Sequence, residues 1–394
     1  ADNNSSQYNL DYKLDFKKDG HNIELEVDYN TFNQDNPVDY MIFLGNQDSY
    51  QDFNETDRAS TTVNLDYVNP LSDTEKLELG VQGRLFNTDI DYASTGDTFN
   101  SLGVLAPTPS TVFDYTRDIY SAYATYSKKL DKWTYQVGIR AESVNVDAIA
   151  LQTDVVSNIT TPIEFNNDYF ELYPSAFFTY TPSEKNSYQL SYSRRVDRPG
   201  VGQVNPIKRW STPIISQYGN IDLRPQFTNS LEANYTRNLN NRKGSITGGF
   251  FYRAISDEIN RALFIDRTDI NSGKVIMIRD NFDDTSAYGF ELSTNYRPTK
   301  WWSLNGSFDL FGRQQKGITE TLTAPTDIAT TDDIQRSTVE VNNIVYNFRL
   351  FNNFKVTKQL NLSLFSMYRG EEKGLQFTRK PMFMINTGLR YSFM

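Results

Sequence analysis

The sequence predicts an all-β fold: a transmembrane, antiparallel, up-and-down β-barrel with about fifteen strands present. Three observations carry this reading. Segment after segment alternates apolar and polar residues with period two, as a sheet with two unlike faces requires. The connections between those segments alternate short and long along the whole chain. Aromatic residues are 14% of the 394 positions, yet no apolar run reaches the roughly eighteen residues of a membrane helix. Strands with one lipid face produce that combination, and their aromatics gather at the bilayer boundaries.

The strands follow in order. Tyr8, Leu10, Tyr12, Leu14 and Phe16 alternate with Asn9, Asp11, Lys13 and Asp15. Ile23, Leu25, Val27 and Tyr29 alternate with Glu24, Glu26 and Asp28. Val63, Leu65 and Tyr67 mark a third, and Leu77, Leu79, Val81 and Leu85 a fourth. Further strands are expected at 119–127, 133–146, 170–181, 188–195, 228–237 and 245–256, then at 288–296, 302–310, 344–356, 360–368 and 383–393. Most are near the nine to eleven residues, roughly, that a tilted strand needs to cross a bilayer.

Short turns are expected at 17–20, 69–74, 128–132, 181–186, 238–243, 297–300 and 357–359. Long loops are expected at 31–59, 89–118, 147–168, 196–227, 257–284, 312–336 and 370–380. Membrane barrels keep short turns on the periplasmic side and long loops outside, whereas a soluble sandwich has no reason to sort its loops. The polar partners agree. Asp11, Asp15, Glu24, Glu26 and Asp28 cannot face hydrocarbon cheaply, so they face a watery lumen.

Composition narrows the function. The net charge of −10 argues against a nucleic-acid partner, which calls for a basic face. Without cysteine there is no disulfide and no thiolate metal site. His21 is the single histidine and is expected to be exposed in a turn, leaving a hydrolase without its base and zinc without its imidazoles. Gly200-Val201-Gly202 runs into Pro206 and cannot form a phosphate loop. The reading is a non-enzyme with no cofactor. The acidic groups Asp35/Asp39, Asp48/Asp52/Asp57 and Asp280/Asp283/Asp284 could offer oxygens to calcium, but none completes a known loop motif.

The stretch from Ser191 to Leu239 carries a resemblance. Arg195, Asp197, Arg198 and Pro199, then Asn205-Pro206, Gly219-Asn220, Leu223, Pro225, Ser230, Glu232 and Tyr235 resemble the signature of TonB-dependent outer-membrane receptors. More narrowly they resemble the Bacteroidota-type outer-membrane β-barrel family. Glu171 to Ser175, Gly249 to Arg253, and Gly289 to Leu292 with Pro298 to Trp302 are similar in the same order. The resemblance implies a barrel of 22 strands, of which residues 1–394 would be the middle-to-late part. The family's N-terminal plug and some strands are not in this chain. It implies outer-membrane lipid around the barrel, a TonB energising complex acting through the plug, and in some members a surface lipoprotein. The implied function is uptake of a metal chelate, glycan or peptide. A non-transporting structural or surface-assembly barrel and a soluble secreted β-rich binding protein are the alternatives.

The loop 196–227 is proline-stiffened and gathers basic charge. Arg198, Lys208, Arg209 and Trp210 are its candidate substrate contacts, able to hold acidic or ring-shaped groups. Arg195, Asp197, Asp222 and Arg224 are candidate braces, through arginine–carboxylate pairs within the loop. Trp133, Trp301 and Trp302 sit beside short turns and read as interface anchors.

Overall fold

The computed structural model describes residues 2–41, 49–99, 105–207, 209–212, 215–239, 243–267 and 270–393. Its main sheet has 17 strands. Two are short riders, Val38–Tyr40 and Thr160–Asn166, each hydrogen-bonded to the edge of a longer strand. The other fifteen form one antiparallel meander in which every strand pairs with the next in sequence. They are β1 (Asp2–Asp15), β2 (Asn22–Asp35), β3 (Tyr50–Pro70), β4 (Glu75–Ser94), β5 (Ser110–Leu130), β6 (Trp133–Thr153), β7 (Tyr169–Ser183) and β8 (Asn186–Asp197). Then follow β9 (Gln226–Asn238), β10 (Gly244–Ser256), β11 (Thr285–Tyr296), β12 (Trp302–Leu322), β13 (Ile334–Lys355), β14 (Leu360–Arg369) and β15 (Met382–Tyr391). Among the described residues no ladder joins β1 to β15. The seven expected short turns all fall between paired neighbours, the tightest being the two-residue turns Asp131-Lys132 and Glu184-Lys185.

The outward face is apolar where alternation places it. Leu10 and Tyr12 on β1, Val137 and Ile139 on β6, Phe250 on β10 and Tyr288 on β11 are all among the exposed large hydrophobics. A water-soluble protein does not display such a continuous set. Aromatics cluster toward the short turns: Trp133 stacks on Tyr180 at 4.1 Å, and Trp301 and Trp302 both stack on Phe354. The Trp302 indole also donates to Asn352 at 3.0 Å.

Two expectations need correction. The expected strand lengths hold only for the shorter strands; β3, β5, β6 and β12 have 21 residues and β13 has 22. Parts of the expected long loops are therefore strand. The cause is a reversal of polarity along one ladder. On β4, Leu79, Val81 and Leu85 face outward, but the same face continues as Asn87, Asp89 and Asp91. The opposite face carries Gln82 and Arg84 and then turns apolar at Ile90 and Tyr92. The strand has left the bilayer and rises above it. His21 is also half-buried rather than exposed: its Nε2 lies 3.0 Å from the Tyr67 hydroxyl and its ring 4.2 Å from that of Phe16.

The apolar core lies in that raised section. Ile90, Phe113 and Ala150 stand in one cross-strand row of β4, β5 and β6. Val204, Ile207 and Leu223 from the loop after β8 close over them, each at most 3% exposed. Burying a side chain such as Phe113 stabilises by about 1.5–3 kcal/mol. A loop after the eighth strand can reach β4 to β6 in this way only because the sheet curls around a common interior.

Candidate functional site

The loop between β8 and β9 is a folded plate. It opens with one helical turn, Val201–Val204, and continues as a strand, Arg209–Thr212, paired with Ile215–Gln217. Ile215–Gln217 lies parallel to Val275–Phe282, which pairs with Glu258–Ile265. The loops after β8 and β10 thus share a four-stranded sheet.

Gly219 explains one part of the signature. Its backbone N–H donates to the Asn205 carbonyl at 2.7 Å, and a Cβ there would stand 2.5 Å from that oxygen. Only glycine permits this approach. The Asn205 side chain accepts from the Ile207 N–H at 2.9 Å, and the Asn220 side chain from the Asp222 N–H at 3.1 Å. Asn205-Pro206 and Gly219-Asn220 are two ends of one clasp.

The plate is bolted to the wall by arginines. The Arg198 guanidinium bonds the Glu142 carboxylate of β6 and donates to the Tyr169 hydroxyl at 2.9 Å. Glu142 is 3% exposed and also accepts from Arg140 at 2.7 Å. Arg194 pairs with Glu171 at 3.0 Å, and Arg224 with Asp257 at 2.6 Å. The bracing arginines therefore choose acids of the wall and of the neighbouring loop. Asp197 instead accepts from Gln226 at 3.1 Å, and Arg195 is exposed opposite Thr228. Asp222 is exposed beside Leu223.

Of the four expected contact residues, Arg198 lies within this bracing network. Lys208 lies outside the described residues. Arg209 and Trp210 are placed by their backbone, on the strand that borders Ile215–Gln217. Asp48 of the acidic groups also lies outside the described residues. Among the described residues no cluster of three or more acidic or histidine side chains could hold a metal.

Beside the plate is a cleft of about 710 Å³. Wall residues Asn54 and Arg58 of β3 line one side. Gln203 and Asn205 of the plate line another, and Arg261 and Arg279 of the shared sheet a third. That volume is within the roughly 300–1,000 Å³ of ligand pockets. Arg58 lies over the rings of Phe32 and Phe86, at 5.6 and 5.9 Å. Sequence reasoning missed Arg58, Arg261 and Arg279. The signal for the last two is their separation within one loop, which a hairpin can bring face to face.

The curled meander, its outward apolar face and the sorted loops define an outer-membrane β-barrel. The chain belongs to the outer membrane protein beta-barrel family, matched over residues 14–394, and is a protein of the outer membrane. Solved structures show the same fold. The ferric-catecholate import receptor Fiu from E. coli K12 is 12% identical with a TM-score of 0.64, covering 99% of this chain and 58% of that one. The siderophore receptor PiuA from Acinetobacter baumannii is 13% identical with a TM-score of 0.64, covering 99% and 58%. The ferric yersiniabactin uptake receptor FyuA from Yersinia pestis is 9% identical with a TM-score of 0.57, covering 99% and 61%. The chain thus spans about three-fifths of the length of these receptors. No curated protein matches the sequence.

Proposed function

We propose that this chain is the barrel portion of a TonB-dependent receptor that takes up a scarce nutrient: a metal chelate, glycan or peptide. In this reading the complete barrel has 22 strands and residues 1–394 supply its middle-to-late part. A plug encoded elsewhere in the full-length protein links it to the energising complex, and a surface lipoprotein is a further partner. The narrower Bacteroidota-type membership belongs to the same reading and rests on the loop signature from Arg195 to Tyr235. The observation that carries the proposal is the arginine-lined cleft at the long-loop end of a barrel built like known uptake receptors. Arg209 and Trp210 are proposed to touch the substrate; Arg195, Asp197, Asp222 and Arg224 are proposed to hold the plate in shape.

The test is uptake by cells carrying the full-length protein, offered a mixture of ferric chelates, oligosaccharides and peptides. One class should be depleted from the medium, and depletion should stop when the proton gradient is collapsed. Depletion that continues without the gradient, or none in any class, would contradict the proposal. Once the substrate is known, Trp210→Ala with Arg209→Ala should weaken its binding while the barrel stays folded.

A further inference from the structure

We propose that Arg261 and Arg279 form an oxyanion-binding pair, so that the ligand of this cleft carries a carboxylate or phosphoryl group; this rests on the uptake reading. The two residues are directly opposite in the antiparallel register of Glu258–Ile265 and Val275–Phe282. Opposite residues of such a pair project to the same face, and both line the cleft. Two like charges there repel and destabilise the pairing.

Nearby arginines avoid that problem by pairing. Arg224 has Asp257, Arg267 and Arg336 share Glu320, and Arg313 has Glu258 and Glu372. Among the described residues Arg261 and Arg279 make no ion pair and no side-chain hydrogen bond. An acid is at hand in Asp280, but its carboxylate accepts from Asn220 and from the Asn281 N–H instead. Burial, with Arg261 adding to it, pushes the Arg279 guanidinium below its ordinary range. The sheet therefore holds two guanidinium forks toward the cleft with no acid paired to them; the one carboxylate among the described lining residues, Asp52 of the wall strand β3, makes no ion pair with either. A carboxylate or phosphoryl group can bond such forks bidentately and remove the repulsion. Tyr92 and Met277 supply ring and thioether surface for the rest of the ligand.

Calorimetry on the full-length protein in detergent, with citrate and with pyrophosphate as separate probes, tests this without any energising complex. At least one probe should bind, with affinity falling as salt rises. The choice between the two separates a carboxylate from a phosphoryl preference. Arg261→Gln with Arg279→Gln should weaken that binding at least tenfold, and the double lysine variant should be intermediate because it keeps charge but loses the fork. Arg261→Gln alone, without anion, should make residues 257–284 more resistant to protease, because it relieves the repulsion. Failure of both probes to bind, or equal affinity in the double glutamine variant, overturns the pair as a site. Either result leaves gradient-dependent uptake standing, and a failure of uptake would leave this binding measurement intact.

Discussion

Arg198 reaches 56 positions back along the chain to the buried carboxylate of Glu142. That one pair joins the plate after β8 to the wall strand β6. The two ends of the pair are not equivalent. Glu142 keeps Arg140 and Arg84 when Arg198 is removed, whereas all three guanidiniums lose their acid when Glu142 is removed. Glu142→Ala should therefore cost more than Arg198→Ala, toward the roughly 3–5 kcal/mol of an orphaned buried charge. Limited proteolysis between Pro199 and Pro225 reads the effect. Faster cleavage in Arg198→Ala than in Glu142→Ala would contradict the assignment.

The lipid face can be tested on β14. Leu362 and Leu364 share a face with Phe354 and Leu389 by cross-strand register, whereas Ser363 sits opposite Gly388 on the other face. Leu364→Arg should destabilise the folded barrel by about 2–4 kcal/mol. Ser363→Arg should be mild, since that side chain enters the lumen. Heat-modified gel migration in folded samples separates the two. Equal losses would mean that the faces are exchanged.

Asp280 gives a pH dependence. Burial raises its carboxyl above the ordinary range, although the Asn281 N–H and the Arg336 and Arg224 charges oppose that shift. Its folded pKa therefore lies above its unfolded one, and the folded form takes up a proton first as pH falls. The joint between the plate and the loop after β10 should tighten as pH drops through the folded value and loosen above it. Asp280→Asn keeps an acceptor for Asn220 and removes the burial cost. It should make the joint protease-resistant at neutral pH and flatten the pH response. An unchanged response in the asparagine variant would locate the titration elsewhere.

The membrane part of this fold was legible because lipid imposes a simple rule. Leu10 against Asp11, or Val27 against Glu26, can be read two residues at a time. The raised part was not, because its faces exchange roles. Asp89 and Asp91 stand outside while Ile90 and Tyr92 stand inside. Period two persists, but a reader seeking an apolar outer face sees a polar loop. The arginines of the plate were found as a basic cluster, and Arg224 pairs with Asp257. The partner of Arg198 was hidden because Glu142 lies on β6, two strands away from β8, and only the register through β7 brings it alongside. Arg261 and Arg279 escaped notice among acidic neighbours, since only the register of a hairpin inside the loop sets them opposite each other.

The sidedness of the barrel is the premise of everything else: the cleft serves as a receptor mouth only if the long loops face outward. Residues 1–394 contain no cysteine, so a single substitution is the one thiol this part of the barrel presents. Asp97, in the loop after β4, and Ser183, at the turn between β7 and β8, are both exposed and lie at opposite ends of the wall. The direct measurement is labelling of Asp97→Cys and Ser183→Cys variants of the full-length protein on whole cells with a thiol reagent that cannot cross the outer membrane. Asp97→Cys should label at once, and Ser183→Cys only after the membrane is broken. Labelling of Ser183→Cys on intact cells as fast as Asp97→Cys would contradict the account.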